Sequence, residues 1–337
     1  MTQHNGPGTA LGSMADFTVP MAIRVAATLG VADHIAASAL TATDLADRAN
    51  VDAGPLDRML RHLTSAGVLT RDDTGRYALT AIGEALRDDH PARLRARFDM
   101  DGALGRAELA FVELLGTIRS GKNAYGTRYG RSLWEDLAAD PALSKSFDEM
   151  MAFNLSGVID SILAAYDWAS LDHVVDVGGG NGALLRALLI EYPNLRGTLV
   201  ELPKPAAAAE SAFAAAGLAG RVEVVSGSFF DPLPPGADAY LLSDVLHDWD
   251  DSTSKIILRR CAEAAGDRGQ VLVIGEFGPD GESPSTAMDL RMLVLVDGRE
   301  RRASEVLELA EDCGLGLSNV HAAGEISVIA LRRPEEG

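Results

Sequence analysis

The sequence predicts a two-part α/β protein: a mostly parallel, helix-covered sheet with one reversed strand in the C-terminal half, preceded by a smaller helical, winged-helix-like domain. Three observations carry this prediction. The stretch His173-Val-Val-Asp-Val-Gly-Gly-Gly-Asn-Gly182 reads as a buried strand, a glycine-rich turn and then a helix over residues 183–192, the opening of a nucleotide-type binding fold. From there strands at 174–177, 196–201, 221–226, 238–243 and 270–276 alternate with helices, as the crossovers of a parallel sheet require. Upstream, residues 41–79 read as helix, turn, helix and hairpin. At 337 residues the chain is long enough for two cores.

Composition narrows the function classes. Hydrophobic residues make up 47% and the mean hydropathy is near zero, values of an ordinary folded chain. A net charge of -19 and a pI of about 4.7 set the molecular field against phosphate, which argues for a small-molecule partner and against nucleic acid or an anionic membrane. Cys261 and Cys313 lie in helical contexts without Cys-x-x-Cys spacing, which suits reduced thiols in the cytoplasm and suggests no metal site. The start lacks a basic, apolar-cored leader and no apolar run approaches ~18 residues, so neither export nor a membrane span is expected. Residues 1–14, polar and glycine-rich, are expected to be a disordered tail.

Taken in order, residues 15–95 form the expected winged-helix-like domain, 96–165 a helical linker with pocket-forming positions, and 166–337 the ligand-binding sheet domain. Within 15–34, Val19, Ile23, Ala26, Ala27 and Leu29 recur at helical spacing, and Gly30 breaks the helix before it resumes. This surface is too apolar for an exposed arm and predicts a homodimer built through the N-terminal domain. Thr41 opens a short helix to residue 49, and Pro55 stands in the first turn of another over 52–63. Asp72-Asp-Thr-Gly75 then turns a hairpin within 68–79. A winged helix raises a ligand-sensing DNA regulator as an alternative. Against it, residues 1–95 hold 9 Arg and 11 Asp plus Glu, and the second helix offers only Arg58, Arg61 and His62 where a sustained basic face is needed.

Residues 96–165 carry apolar positions at helical spacing, among them Leu109, Val112, Leu115, Trp134, Phe147 and Met150, interrupted by a Gly- and Tyr-bearing loop at 120–131. Core packing is the ordinary reading of such Met and aromatic positions, with a few lining a pocket. The chain closes with a helix at 304–313 and two strand-like runs, 315–320 and 325–331, joined closely enough for a hairpin.

Ligands of open α/β sheets sit beyond the carboxyl ends of the strands, so those ends are where chemistry is sought. After the first come Gly178, Gly180 and Gly182, and the second ends in Glu201, an acid able to accept from ribose hydroxyls. Gly178-x-Gly180-x-x-Ala183 also satisfies the relaxed dinucleotide pattern, so on these residues a nicotinamide enzyme stays open. Beyond the third strand, Ser228 and Phe229 suit the edge and face of a planar base; beyond the fourth, Ser243 leads to His247 and Asp248, Asp250 and Asp251. Helix capping explains acids at a helix start but not the histidine. Glu276 ends the fifth strand and Glu300 lies in a Gly-Arg-Glu-Arg loop, carboxylates of the kind that orient an imidazole acting as general base.

In combination, Asp176-Val-Gly-Gly-Gly-Asn-Gly182, Glu201-Leu202-Pro203, Gly227-Ser-Phe-Phe-Asp-Pro-Leu-Pro234 and Leu246-His-Asp-Trp249 resemble the plant-type O-methyltransferases that use S-adenosyl-L-methionine, in the branch found in bacterial natural-product pathways. The resemblance covers nearly the whole chain and outweighs the dehydrogenase reading. It implies a Rossmann-like class I methyltransferase sheet, a dimerising N-terminal domain and methylation of a hydroxyl on a small aromatic metabolite. His247 is then the catalytic base flanked by Glu276 and Glu300. Asp176, Gly178, Gly180, Glu201, Leu202, Ser228, Phe229 and Ser243 belong to the cofactor site, with Trp249 near the adenine. Trp134, Phe147, Met150, Asn154, Asp289 and Met292 fall where the acceptor pocket is built. Two departures stand out: many members carry Asp where this chain has Glu201 and Ser228. Related bacterial proteins keep the cofactor site yet catalyse hydroxylation or decarboxylation of polyketides, an alternative against which the presence of His247 counts.

Overall fold

Side-chain caps fix where the first helices begin. Thr41 accepts from the Asp44 amide while Asp44 accepts in return from the Thr41 amide, a reciprocal capping box that opens the helix Ala42–Ala49. Asp52 accepts from the Gly54 amide at 2.8 Å and opens Ala53–Ser65. Strands β1 (Leu40–Thr41), β2 (Leu69–Arg71) and β3 (Arg76–Leu79) make a small antiparallel sheet in the order β1-β3-β2. The β2–β3 hairpin is as expected. The two-residue β1 is not legible in sequence, since it exists only by pairing Leu40 with Tyr77 and Thr41 with Arg76. Leu45, Leu60, Leu63 and Tyr77 are fully buried at the centre of this core, and the Tyr77 hydroxyl donates to Asp57 at 2.6 Å. Gly30, at φ +60°, separates the helices Thr18–Thr28 and Val31–Ala36.

The structure, a computed structural model, describes residues 7–277, 285–324 and 326–334. Two compact units divide the chain: Met1–Leu109 with Pro141–Phe147, and Ala110–Asp140 with Asp148–Gly337. In the second, strands β4 (His173–Val177), β5 (Arg196–Glu201), β6 (Val222–Ser226), β7 (Ala239–Ser243), β8 (Gln270–Glu276), β9 (Gly316–Ala323) and β10 (Ile326–Arg332) form one sheet in the order β6-β5-β4-β7-β8-β10-β9. β4 to β8 pair in parallel, and β10 runs antiparallel to β8 and β9. Val174 and Val175 are adjacent on β4 and both fully buried, which requires covered faces on both sides. Val175, Tyr240 and Val273 pack with Ile257 and Val306 on one side; Val174, Leu241 and Leu272 pack with Leu185, Phe213 and Ile162 on the other.

Two expectations are corrected. Residues 7–14 of the expected tail belong to the helix Pro7–Ala15, led by a proline, which a helix tolerates at its first turn; residues 1–6 lie outside the described residues. The expected loop at 120–131 contains the helix Ala124–Tyr129, because Asn123 caps it through the Gly126 amide and buried Tyr125 donates its hydroxyl to buried Asp136. The apolar positions of the linker also divide: Leu137 and Met150 are buried, whereas Val112, Leu115 and Ile118 face outward.

Gly182 shows how tightly the β4 turn is packed: its φ is +74°, and a Cβ there would stand 2.5 Å from the Phe213 ring. Gly182→Ala is expected to destabilise by ~1–3 kcal/mol, from left-handed strain and the clash. Thermal unfolding of the single variant and of Gly182→Ala/Phe213→Leu checks this. The pair should recover part of the loss if the ring contact contributes.

Candidate active site

Strand order reverses between β4 and β7, so their following segments leave in opposite directions and open a crevice at the carboxyl edge of the sheet. The glycine turn occupies one wall of that crevice and the segment from Ser243 to Trp249 the other. The helix Ala183–Glu191 begins at Gly182 with no side-chain cap from that residue, and the Leu185 amide in its first turn acts on the Asp176 carboxylate.

Each cofactor-type residue read from the sequence lies along this edge. Glu201, last in β5, accepts from the Gly180 amide at 2.9 Å and from the Leu202 amide at 2.6 Å; burial raises its pKa against those two amides. Asp176 is buried, its oxygens make no regular hydrogen bond, and burial first and then the charge of Glu201 push its pKa up to about 7. The Phe229 ring lies across the turn, 3.2 Å from where a Cβ of Gly178 would stand. Ser228 accepts from the Phe230 amide at 3.2 Å, and Ser243 ends β7 half-buried. Trp249 meets Phe229 and Phe230 edge-on, at 5.9 and 5.1 Å between centroids, and Trp134 stacks on it at 6.3 Å and 18°. Trp134 therefore joins this aromatic group.

His247 stands on the short 3-10 turn Leu246–Asp248 just past β7. Its Nδ1 is 3.1 Å from Glu300 Oε1, and its Nε2 is 3.6 Å from Asp248 Oδ1. Burial alone pulls the imidazole pKa down, but the negative charges of Asp248, Glu300 and Asp244 outweigh it and bring the value up to about 9. Burial in turn raises Asp248 to about 6 and also raises Asp244. Glu276, exposed at the end of β8, lines the same cleft as His247, Asp244 and Glu300. The three residues expected to act together thus share one cleft, with Glu300 the one bonded to the ring.

The acceptor-side residues spread more widely. Asp289 Oδ1 accepts from the Glu300 amide at 3.0 Å, which ties the helix Thr286–Leu295 to the residue that orients His247. Met292 on that helix is buried, as is Met150 on the helix Pro141–Ser156, whereas Asn154 is exposed. Phe147 belongs to the first unit. None of Trp134, Met150, Asn154 and Met292 lines the cleft around His247.

Sequence reading missed Asp244 and Arg301. Asp244 adopts φ +51°, a left-handed conformation in a residue other than glycine, which is the backbone strain that active-site turns tend to hold. Arg301 is buried at 4% exposure and bonds the backbone of the His247 turn. Its signal in sequence was only an Arg-rich run, which ordinarily marks a solvated surface.

Comparison with known proteins followed the same division of the chain. The O-methyltransferase domain family matches residues 111–316, and the O-methyltransferase dimerisation domain family matches residues 11–89. The chain is 53% identical to 2,7-dihydroxy-5-methyl-1-naphthoate 7-O-methyltransferase of Streptomyces carzinostaticus over 95% of this chain and 96% of that one. It is 45% identical to aclacinomycin 10-hydroxylase of Streptomyces purpurascens, over 94% and 87%. The crystal structure of an O-methyltransferase from neocarzinostatin biosynthesis, in complex with S-adenosylmethionine and 2-hydroxy-5-methyl naphthoic acid, superposes with a TM-score of 0.92 at 52% identity, covering 96% of this chain and 98% of that one.

An imidazole must be neutral to accept a proton, so with a pKa of about 9 in the ligand-free protein, kcat/KM is expected to rise with pH through about 9. His247→Ala should abolish that limb and lower kcat by ~10² or more. Glu300→Gln should cost more than Glu276→Gln, because a hydrogen bond to a charged group is worth about 1.5–3 kcal/mol and Glu300 makes one to the ring. Steady-state pH profiles of the three variants check the ranking, and equal losses at Glu276 and Glu300 would contradict it.

Proposed function

The chain belongs to the O-methyltransferase family, and from that premise we propose that it methylates a phenolic hydroxyl of a fused-ring aromatic acid, with His247 as the general base. It is an S-adenosylmethionine-dependent enzyme. One observation supports the assignment above the others: an imidazole bonded through Nδ1 to Glu300 stands just past β7, the strand paired with β4 where strand order reverses. The naphthoate-methylating relative at 53% identity supplies the acceptor class.

The residues of the crevice fit the cofactor. Asp176 offers a buried carboxylate near the start of Ala183–Glu191, where the Leu185 amide acts on it and no side chain caps the helix. Glu201 stands where ribose hydroxyls are accepted, and Phe229 and Trp249 present apolar faces suited to adenine. When bound, the cofactor supplies an electrophilic methyl on a sulfonium.

The chain's own work is to hold the acceptor and remove its proton. Nε2 of His247 takes the hydroxyl proton while Nδ1 stays on Glu300, so the imidazolium that forms keeps a carboxylate beside it. Glu276 lines the same cleft. Asp289 holds the Glu300 backbone, so acceptor binding along Thr286–Leu295 is coupled mechanically to the base. The N-terminal domain joins two copies into a homodimer, in keeping with its family match and with exposed Leu11, Met14 and Phe17. Among the described residues no helix is long and apolar enough to cross a membrane. Two free cysteines, one of them buried, accord with a reducing cytoplasm.

The hydroxylase at 45% identity is the second reading. Incubation with S-adenosylmethionine and 1,4-dihydroxy-2-naphthoic acid separates the two by mass spectrometry. A product heavier by one methyl group, formed with stoichiometric S-adenosylhomocysteine, is expected; a product heavier by one oxygen would end the methyl-transfer reading. Calorimetry should show binding of S-adenosylhomocysteine and none of NADH. Light scattering should give a dimer that Phe17→Asp weakens, and a monomeric wild type at micromolar concentration would contradict the assembly.

A further inference from the structure

Arg301 carries a charge almost wholly out of water, and a buried guanidinium is costly unless its donors are satisfied. Here they are. Nη1 donates to the Leu246 carbonyl at 2.7 Å, and Nη2 to the Trp249 carbonyl at 2.7 Å and Asp251 Oδ1 at 2.9 Å. Nε adds a bond to the same Asp251 oxygen at 3.1 Å. The two carbonyls bracket the turn Leu246–Asp248, so the guanidinium spans it from end to end. Within the turn the Leu246 carbonyl accepts only a long bond from the Trp249 amide, at 3.3 Å, and charged donors at 2.7 Å are the stronger partners for both carbonyls.

The neighbours of Arg301 act on the same turn. A Cβ on Gly298 would stand 2.0 Å from the His247 carbonyl oxygen, so the two backbones touch with no room for a side chain. Glu300, adjacent in sequence, bonds the His247 ring. The Ser254 hydroxyl reaches the Leu246 and Trp249 carbonyls at 3.3 and 3.4 Å, longer and weaker contacts to the oxygens that Arg301 holds. One short segment, 298–301, therefore fixes the backbone, the ring orientation and the far end of the turn.

We infer that Arg301 is a positioning residue for the methyl-transfer step, clamping the His247 turn so that the imidazole and the Trp249 ring keep one fixed relation. It touches no reacting atom, and it acts through the backbone of residues 246–249. The inference rests on His247 being the base. Lysine at this position retains the charge but not the planar fork, so it can meet one carbonyl and not both in line. The turn then relaxes, the bond between Nδ1 and Glu300 lengthens, and the base loses alignment.

Arg301→Lys is expected to lower kcat tenfold or more and to weaken S-adenosylhomocysteine binding by a smaller factor. In the ligand-free protein the His247 imidazole, followed by NMR and assigned by its loss in His247→Ala, should titrate nearer the ordinary 6.5 than the wild type's value of about 9. The groups facing that ring are Asp244, Asp248 and Glu300, and Glu276 and Arg299 line the same cleft; all are retained in the variant, and so is the positive charge at 301. A changed titration thus reports geometry. Asp251→Ala, at a half-exposed position, removes the carboxylate that anchors the guanidinium and should act in the same direction to a smaller extent. A lowered melting temperature with wild-type kcat and wild-type titration in Arg301→Lys would overturn the inference. Should Arg301→Lys not fold, an unchanged kcat and titration in Asp251→Ala overturns it equally. If the wild type methylates nothing or His247→Ala runs at full speed, the base reading fails, while the imidazole titration still judges the clamp.

Discussion

Parallel pairing of β4 with both β5 and β7 is the constraint from which the site follows. A parallel strand must be followed by a crossover, and crossovers from two strands that diverge in order leave the sheet edge between them uncovered. The glycine turn and the His247 segment are the first residues of two such crossovers. Their backbones are close because β4 and β7 are hydrogen-bonded neighbours, with Asp176 opposite Leu241 in register. Chemistry is thereby assembled from residues about seventy positions apart without either segment needing structure of its own. β10 lies antiparallel between β8 and the edge strand β9, and the long connection that leaves β8 carries Glu300 and Arg301 back over the His247 turn.

The electrostatics of that edge run against the simple effect of burial. An isolated imidazole withdrawn from water titrates low; this one is raised because the carboxylates of Asp248, Glu300 and Asp244 stand around it. The arrangement stabilises a proton on His247, which suits the state reached after proton transfer better than the state before it. A base of raised pKa is the stronger acceptor once it is neutral, at the cost of a smaller neutral fraction near pH 7. The net charge of -19 over the chain gives the molecule a negative field, which favours a sulfonium over a phosphate-bearing ligand.

The residues at strand ends were legible in sequence because period and breaker residues locate strands, and the topology rule then says which end is used. Gly178, Glu201, Phe229 and His247 were found that way. What sequence does not encode locally is which of several like neighbours turns inward. Asp248 and Asp250 stand in one acidic run, yet Asp250 accepts from the Thr253 amide as a helix cap while Asp248 faces the imidazole. Arg299, Glu300, Arg301 and Arg302 read as one solvated charge run, but their side chains are 43%, 10%, 3% and 36% exposed. Only the docking of this segment on the His247 turn, a contact across about fifty positions, sorts them. The helix Ala124–Tyr129 escaped for a similar reason: its glycine and tyrosines look like a loop until Tyr125 finds Asp136.

A hydroxylase at 45% identity and a methyltransferase at 53% share one fold with this chain, so overall likeness does not by itself choose the reaction. The choice lies in whether the crevice holds a base aligned for proton removal. Methyl transfer to a hydroxyl needs the oxygen's proton gone as the bond to carbon forms, and the imidazole held at Nδ1 by Glu300, with Nε2 3.6 Å from Asp248, is the group we propose for that task. Gathering three carboxylates around one histidine, with a buried guanidinium behind its turn, is expensive in desolvation. Such an arrangement persists where the geometry of that histidine decides the rate, and where it does not, an apolar turn would fold at lower cost.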